Sequence, residues 1–168
     1  HAGKYFAQVD DEDYERVSQF NWHIQICKRK LYASSRVGER GKDGRKKQDL
    51  LHRYIMNEFD PNIEIDHKDH DGLNCQKSNM RKSNSIQNGQ NRRAKTTGTS
   101  QYKGVRLKKT KFKLLSGEIK FCIRWNAQIT VDKITIELGG FKTEIEAAIA
   151  YDNAAKKYFS EFANLNFK

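Results

Sequence analysis

This chain of 168 residues has one proline, Pro61, and only three cysteines, Cys27, Cys75 and Cys122. The cysteines stand far apart and form no Cys-x-x-Cys pair. That argues against a zinc ribbon and a disulfide framework, and it suits a reducing compartment. Apolar residues make up 36% of the chain, so any core is modest. No run of about 18 apolar residues exists, so no segment reads as a transmembrane helix. No secretory signal is visible, and the expected location is the cytoplasm. The length allows one ordinary domain or two small ones.

Negative charge is scarce where positive charge is dense. The net charge is +11, and residues 92–124 hold eleven Lys or Arg against one acid, Glu118. Residues 27–53 add ten basic against three acidic residues, whereas 125–168 are nearly neutral, with five against six. Clustered positive charge on an otherwise balanced chain fits a polyanionic partner, DNA or RNA.

The first half is organised around residues 63–88. A short strand is expected from Ile63 to His67, then a polar loop with Asp71-Gly72, a second strand near Met80-Arg81-Lys82, and a helix. Asn84 and Gln87 form a capping-box pattern for that helix. This order would gather Asp66, His67, Asn79 and Asn88 in one unit able to hold a hard divalent cation beside an imidazole. Neighbouring side chains on a regular strand point to opposite faces, so Asp66 and His67 are expected at the strand's twisted end. Upstream, Tyr5 to Val9 reads as a strand, and Asp10-Asp11-Glu12-Asp13 starts a helix to about Gln19. Phe20 to Ile26 and Leu31 to Val37 read as a hairpin closed by residues 27–30, followed by a basic turn at 38–44. Trp22 and His23 read as packing and surface. Asp49 to Phe59 looks helical and ends before Asp60-Pro61. Within it, His52 either lines the cleft or supports it.

These residues resemble the His-Asn-His (HNH) nuclease family and its ββα-metal fold, most closely the homing endonucleases of phages and mobile introns. The resemblance covers almost all of residues 4–93, including Leu51-His52-Arg53. It implies that Asp66 is a metal ligand, His67 the general base, Asn79 of Ser78-Asn79-Met80-Arg81 the residue orienting that base, and Asn88 the second metal ligand. The chain departs from the family at His70, where many relatives carry Asn, and at Cys75, where Asp or Asn is usual.

Residues 92–100 are small, polar and basic, and read as a linker lying along phosphates, with Arg92, Arg93 and Lys95 as contacts. Beyond it, Tyr102 to Arg106 and the following basic residues suggest a first strand. Lys120 to Val131 is a second, in which Phe121, Ile123, Trp125, Ala127 and Ile129 alternate with polar partners, and Lys133 to Leu138 is a short third. Thr143 and Glu146 form a capping box for a helix to about Phe159, whose Ile145, Ala148, Ile149 and Ala155 repeat at helical spacing and whose five alanines between 147 and 155 let it sit close on a sheet. Tyr102-Lys-Gly-Val-Arg106, Trp125-Asn-Ala-Gln-Ile129, Leu138-Gly-Gly-Phe141, residues 147–155 and Phe162-Ala-Asn-Leu-Asn-Phe167 resemble the Apetala-2 (ethylene-response-factor) DNA-binding domain over 101–167. The resemblance implies a three-stranded sheet in the major groove, with Lys103, Arg106, Lys108, Arg124, Trp125, Gln128, Thr130, Thr135 and Glu137 at DNA, while Trp125 equally reads as core packing on the helix. Thr135 and Glu137 depart from the family's usual Arg and Trp, and the hairpin around Thr110 to Glu118 is longer.

The expected fold class is α+β: a ββα-metal nuclease with an N-terminal β-rich extension over 1–93, a basic linker over 94–100, and a small three-stranded antiparallel sheet plus one helix over 101–168. The expected function is sequence-directed hydrolysis of double-stranded DNA by a monomer with one Mg²⁺ or Mn²⁺. The rival from another class is a non-catalytic DNA-binding regulator that keeps the nuclease fold.

Overall fold

A computed structural model describes residues 5–27, 30–37, 48–92 and 98–167. The expected turn at 38–44, and Arg93 and Lys95, lie outside them. The chain divides into two compact units, His1–Ser85 and Ile86–Lys168. Among the described residues it is α+β, with three small antiparallel sheets and four α-helices. No described helix is long and apolar enough to cross a membrane.

In the first unit, residues expected as a strand at 5–9 make a single parallel bridge, Gln8 to Asn74, with Gln8 N–H donating to Leu73 O at 2.8 Å. Helix α1, Asp11–Ser18, has the expected acidic first turn, which complements the helix dipole. Asp10 sits at its N-cap, but its carboxylate is spent elsewhere, accepting from Lys77 N–H at 2.7 Å and from the Gln76 amide at 3.4 Å. The hairpin of β1, His23–Cys27, and β2, Lys30–Ser35, forms as expected, and β3, Asp49–Leu50, joins its edge. Trp22 packs against Phe20 and Tyr54 and donates its indole N–H to Val17 O at 2.9 Å.

The helix expected over 49–59 is shorter. Its first two residues pair with β2 instead, α2 runs only from Leu51 to Met56, and Asn57 in the left-handed region (φ 47°) ends it. Arg53 then ties down the connection to the next strand, donating to the carbonyls of Glu58, Asp60 and Ile63 at 3.2, 3.1 and 2.8 Å. Strands β4, Glu64–His67, and β5, Met80–Ser83, pair antiparallel with Asp66 opposite Arg81 and His67 opposite Met80. The core beneath them joins Val17, Ala33, Leu51, Ile55, Ile65, Leu73, Cys75 and Met80.

Helix α3, Ser85–Gln90, starts directly after Asn84 and leads into the second unit. There β6, Val105–Lys113, β7, Ile119–Val131, and β8, Ile134–Phe141, form one antiparallel sheet in the order β6-β7-β8. The third strand is longer than expected because a bulge at Ala127/Gln128 absorbs an extra residue, so that Gln128 faces Glu137 while Ala127 faces Gly139. Helix α4, Glu144–Phe159, has the expected capping box, with Thr143 Oγ1 accepting from Glu146 N–H and the Glu146 carboxylate accepting from Thr143 N–H, both at 3.2 Å. The alanines seat the helix on the sheet as expected, with Ala148 and Ala155 buried, but the two isoleucines depart from expectation. Ile145 and Ile149 are exposed, and the side laid on the sheet is Ala147, Ala148, Tyr151, Ala154 and Ala155. Small residues let backbones approach closely, and that approach selects the face. Of the alternating residues on β7, only Trp125, Ala127 and Ile129 lie under the helix, and Phe121 and Ile123 are exposed beyond it.

Candidate active site and nucleic-acid interface

Asp66 and His67 occupy the end of β4, and both are buried, at 4% and 7% exposure. Their surroundings differ, as strand alternation requires. The Asp66 carboxylate meets Arg81 across the ladder, its Oδ2 accepting from Arg81 Nη2 at 2.7 Å and Nε at 2.9 Å. His67 meets rings. Its imidazole lies 5.1 Å from that of His52 at a 90° interplanar angle and 6.2 Å from the Tyr32 ring. Burial lowers the His67 pKa below the ordinary 6.5, outweighing the Asp69 and Asp66 carboxylates, which raise it. The imidazole is therefore neutral at pH 7 and able to take a proton.

The Leu51-His52-Arg53 segment does three jobs in three residues. Leu51 enters the core, Arg53 fixes the approach to β4, and His52 backs His67. His52 is 5% exposed, its Nδ1 has no hydrogen-bond partner among the described residues, and its edge also meets Tyr32 at 5.4 Å. Burial, then the neighbouring His67 and Arg53, push its pKa down to about 3. Tyr32 is wedged in turn against the loop. A Cβ on Gly72 would lie 2.4 Å from Leu31 O and 2.7 Å from the Tyr32 ring, so only glycine fits there.

Asn79 holds that loop. Its side-chain amide donates to Asp69 Oδ1 at 3.0 Å and Asn74 O at 2.8 Å, and its Oδ1 accepts from Asp69 N–H at 3.2 Å. These bonds run to the segment leaving His67. Asp69 also accepts from Asp71 N–H and the Asn74 amide, at 2.8 and 2.7 Å. Burial pushes the Asp69 carboxyl up, but these hydrogen bonds outweigh it and hold it below the usual range. The two departures from the HNH pattern have local explanations. His70 adopts φ 70°, a left-handed conformation that Asn and His tolerate better than most residues, and Cys75 is a fully buried core residue.

Asn88, half-buried on α3, falls in the second unit, so the four residues expected in one unit are divided by the boundary at Ser85/Ile86. For a divalent ion, the donor types near Asp66 fit, being oxygens of a carboxylate and of amides. Arg81 already binds Asp66 Oδ2, so an ion must share that carboxylate with a guanidinium or displace it. Arg81 is the residue that sequence reasoning left unassigned, and of the two roles open to His52 its buried contact with His67 fits support. The signal for Arg81 was there, since a two-strand register placing opposite charges face to face favours such a pair. A separate acidic group, Asp10, Glu12 and Asp13, lies within ligating reach of itself, but Lys77, Arg16 and Gln76 already engage its carboxylates.

In the second unit the register sorts the expected DNA contacts by face. Arg106 opposes Asn126, Lys108 opposes Arg124, Gln128 opposes Glu137 and Thr130 opposes Thr135, all on the side away from α4. Arg106 is paired there with Glu137 at 2.6 Å, and Thr130 and Thr135 share a hydrogen bond at 3.2 Å. Trp125 lies on the other side, packed with the Val105, Ala127, Ala147 and Ala148 cluster. Lys103 is half-buried, donating to Gln90 O and lying 5.9 Å from the Tyr151 ring, and burial lowers its pKa to about 8. A cleft beside it is also lined by Arg92 and Arg106.

No family model, no curated protein and no solved structure matches this chain.

Proposed function

We propose that this chain is a site-directed DNA endonuclease, with a nuclease centre at Asp66 and His67 and a reading surface on the helix-free face of the β6-β7-β8 sheet. The observation that carries the reading is a buried imidazole, His67, kept neutral by its surroundings directly beside a buried carboxylate. His67 takes a proton from water, and the resulting hydroxide attacks the scissile phosphate in line. Asn79 fixes the loop that follows His67, and His52 and Tyr32 fix the ring from behind. A Mg²⁺ or Mn²⁺ ion bound at Asp66, with Asn88 as second ligand by resemblance alone, would neutralise charge on the phosphate and the leaving oxygen. The HNH resemblance implies a 5′-phosphate and a 3′-hydroxyl as products. Recognition falls to Arg106, Lys108, Arg124, Gln128, Thr130, Thr135 and Glu137, which share one exposed face and offer cations for phosphates and donors and acceptors for base edges.

The Arg81–Asp66 pair favours a second reading, a DNA-binding regulator whose carboxylate is committed to an arginine instead of a metal. Plasmid cleavage with and without Mg²⁺ separates the two. The nuclease reading expects metal-dependent cutting that His67→Ala reduces at least a hundredfold, with DNA affinity nearly unchanged because binding rests on the basic surfaces. Binding without cutting at any metal concentration would leave the regulator. Cutting by His67→Ala within tenfold of wild type would remove His67 as the base.

A further inference from the structure

The β6-β7 hairpin outruns its support. Helix α4 covers the sheet at Val105, Ala127 and Ile129, and beyond that point residues 107–124 form a two-stranded ribbon with both faces open. A lone two-stranded ribbon is marginal in water, and one that exposes large apolar residues marks an interaction surface. Here Leu107, Phe112, Ile119, Phe121 and Ile123 are all exposed. They are interleaved with six cations, Lys108, Lys109, Lys111, Lys113, Lys120 and Arg124, against the single acid Glu118, and Lys109 Nζ lies 4.2 Å over the Phe121 ring. The tip is a tight turn, with Leu114 N–H donating to Glu118 O at 2.8 Å, Gly117 N–H to Leu114 O at 2.9 Å, and Gly117 at φ 86°. At its apex stands Leu115, wholly exposed at 111%.

We infer that this ribbon is a DNA-bending arm: its cations follow the phosphates of duplex DNA past the sheet's footprint, and Leu115 enters a base step as an apolar wedge. The inference rests on the DNA-binding reading above and extends it from recognition to deformation. Charge selects the occupant. Six cations and one acid repel a second copy of the same ribbon, whereas a duplex offers a negative charge about every 1.7 Å of its axis. A two-stranded ribbon also matches the width of a DNA groove, and leucine is one of the side chains that unstack base steps and kink the duplex.

The test uses the full chain in EDTA, with duplexes of about 30 bp carrying a fluorophore at each end. Binding of wild type should raise energy transfer between the ends about twofold or more, as expected for a bend of roughly 40–90°. Leu115→Ser should bind with the same salt dependence, since no phosphate contact is lost, yet leave energy transfer at the value for free DNA. Leu115→Phe should restore the bend, and Lys111→Glu with Lys113→Glu should lower the salt slope by about two. Equal bending by Leu115→Ser and wild type would overturn the wedge. So would salt-dependent binding of wild type to DNA that stays straight. If wild type shows no salt-dependent binding, the DNA-binding reading fails along with the arm.

Discussion

A buried imidazole nitrogen without a hydrogen-bond partner is costly, and among the described residues His52 Nδ1 has none. Its folded pKa of about 3 stands below the ordinary 6.5, so between these values the unfolded chain binds the proton that the folded chain refuses. Stability from this group is therefore complete above pH 6.5 and is lost as pH falls toward 3. His67 is shifted the same way and adds to the slope. Replacing His52 with Phe keeps the ring contacts and removes the titration. Chemical denaturation at pH 6.5 and 4.5 should show wild type losing on the order of 2 kcal/mol more than His52→Phe. Equal losses would mean that protonation of His52 does not oppose folding. The carboxylate beside His67 carries a different tension. Breaking a buried ion pair strands a charge at a cost of about 3–5 kcal/mol, so Arg81 holds Asp66 in place even though it competes with any metal.

At the scale of elements, the second unit is closed by a side-chain clasp. The buried Asp152 carboxylate on α4 accepts from Asn166 N–H at 2.8 Å, from the Asn166 amide at 3.1 Å and from Phe167 N–H at 2.9 Å. Asn166 in turn accepts from Lys103 N–H at 2.7 Å and donates to Lys103 O at 3.1 Å. The segment beginning at Tyr102 is thus tied to the chain's end through α4. Gly104 follows at φ 75°, where a Cβ would fall 2.0 Å from the Tyr151 ring. Asp152→Ala would orphan three donors, so it should cost about 2–4 kcal/mol of this unit's stability, read as a lower urea midpoint. A midpoint unchanged from wild type would show the clasp to be incidental. Local chemistry of this kind is what the sequence displays well. The Thr143/Glu146 capping box, the β1-β2 hairpin and the β4 strand are all readable from short patterns. Burial that depends on distant partners is not. Ile145 and Ile149 read as part of the buried repeat with Ala148 and Ala155, yet both are exposed, and the side on the sheet is Ala147, Ala148, Tyr151, Ala154 and Ala155. Likewise, Asp49 and Leu50 read as helix until β2 offers them a strand partner.

For the whole molecule, the chain carries one Asp-His set with Asn79 and Asn88 and no internal repeat, so on the proposed nuclease reading a monomer would supply one catalytic centre. One base and one ion serve one in-line displacement, and a second strand needs another protomer or rebinding in the opposite polarity. On supercoiled plasmid, open circles should accumulate well before linear molecules. Linear product from the earliest time point would point to a dimer. The placement of the Asp66-His67 pair at the end of β4 was legible because the pair is contiguous in sequence. Its ring packing against Tyr32 and His52 was not, since three separate segments build it.

Cys75 sits at the heart of the first unit with no exposed surface, and burial pushes its thiol up to about 12. Such a sulfur is inert to alkylating reagents while the unit stays shut, whereas Cys27 is open to them throughout. The rate at which Cys75 acquires a label therefore clocks the opening of the first unit alone, and does so without any probe being engineered into the chain.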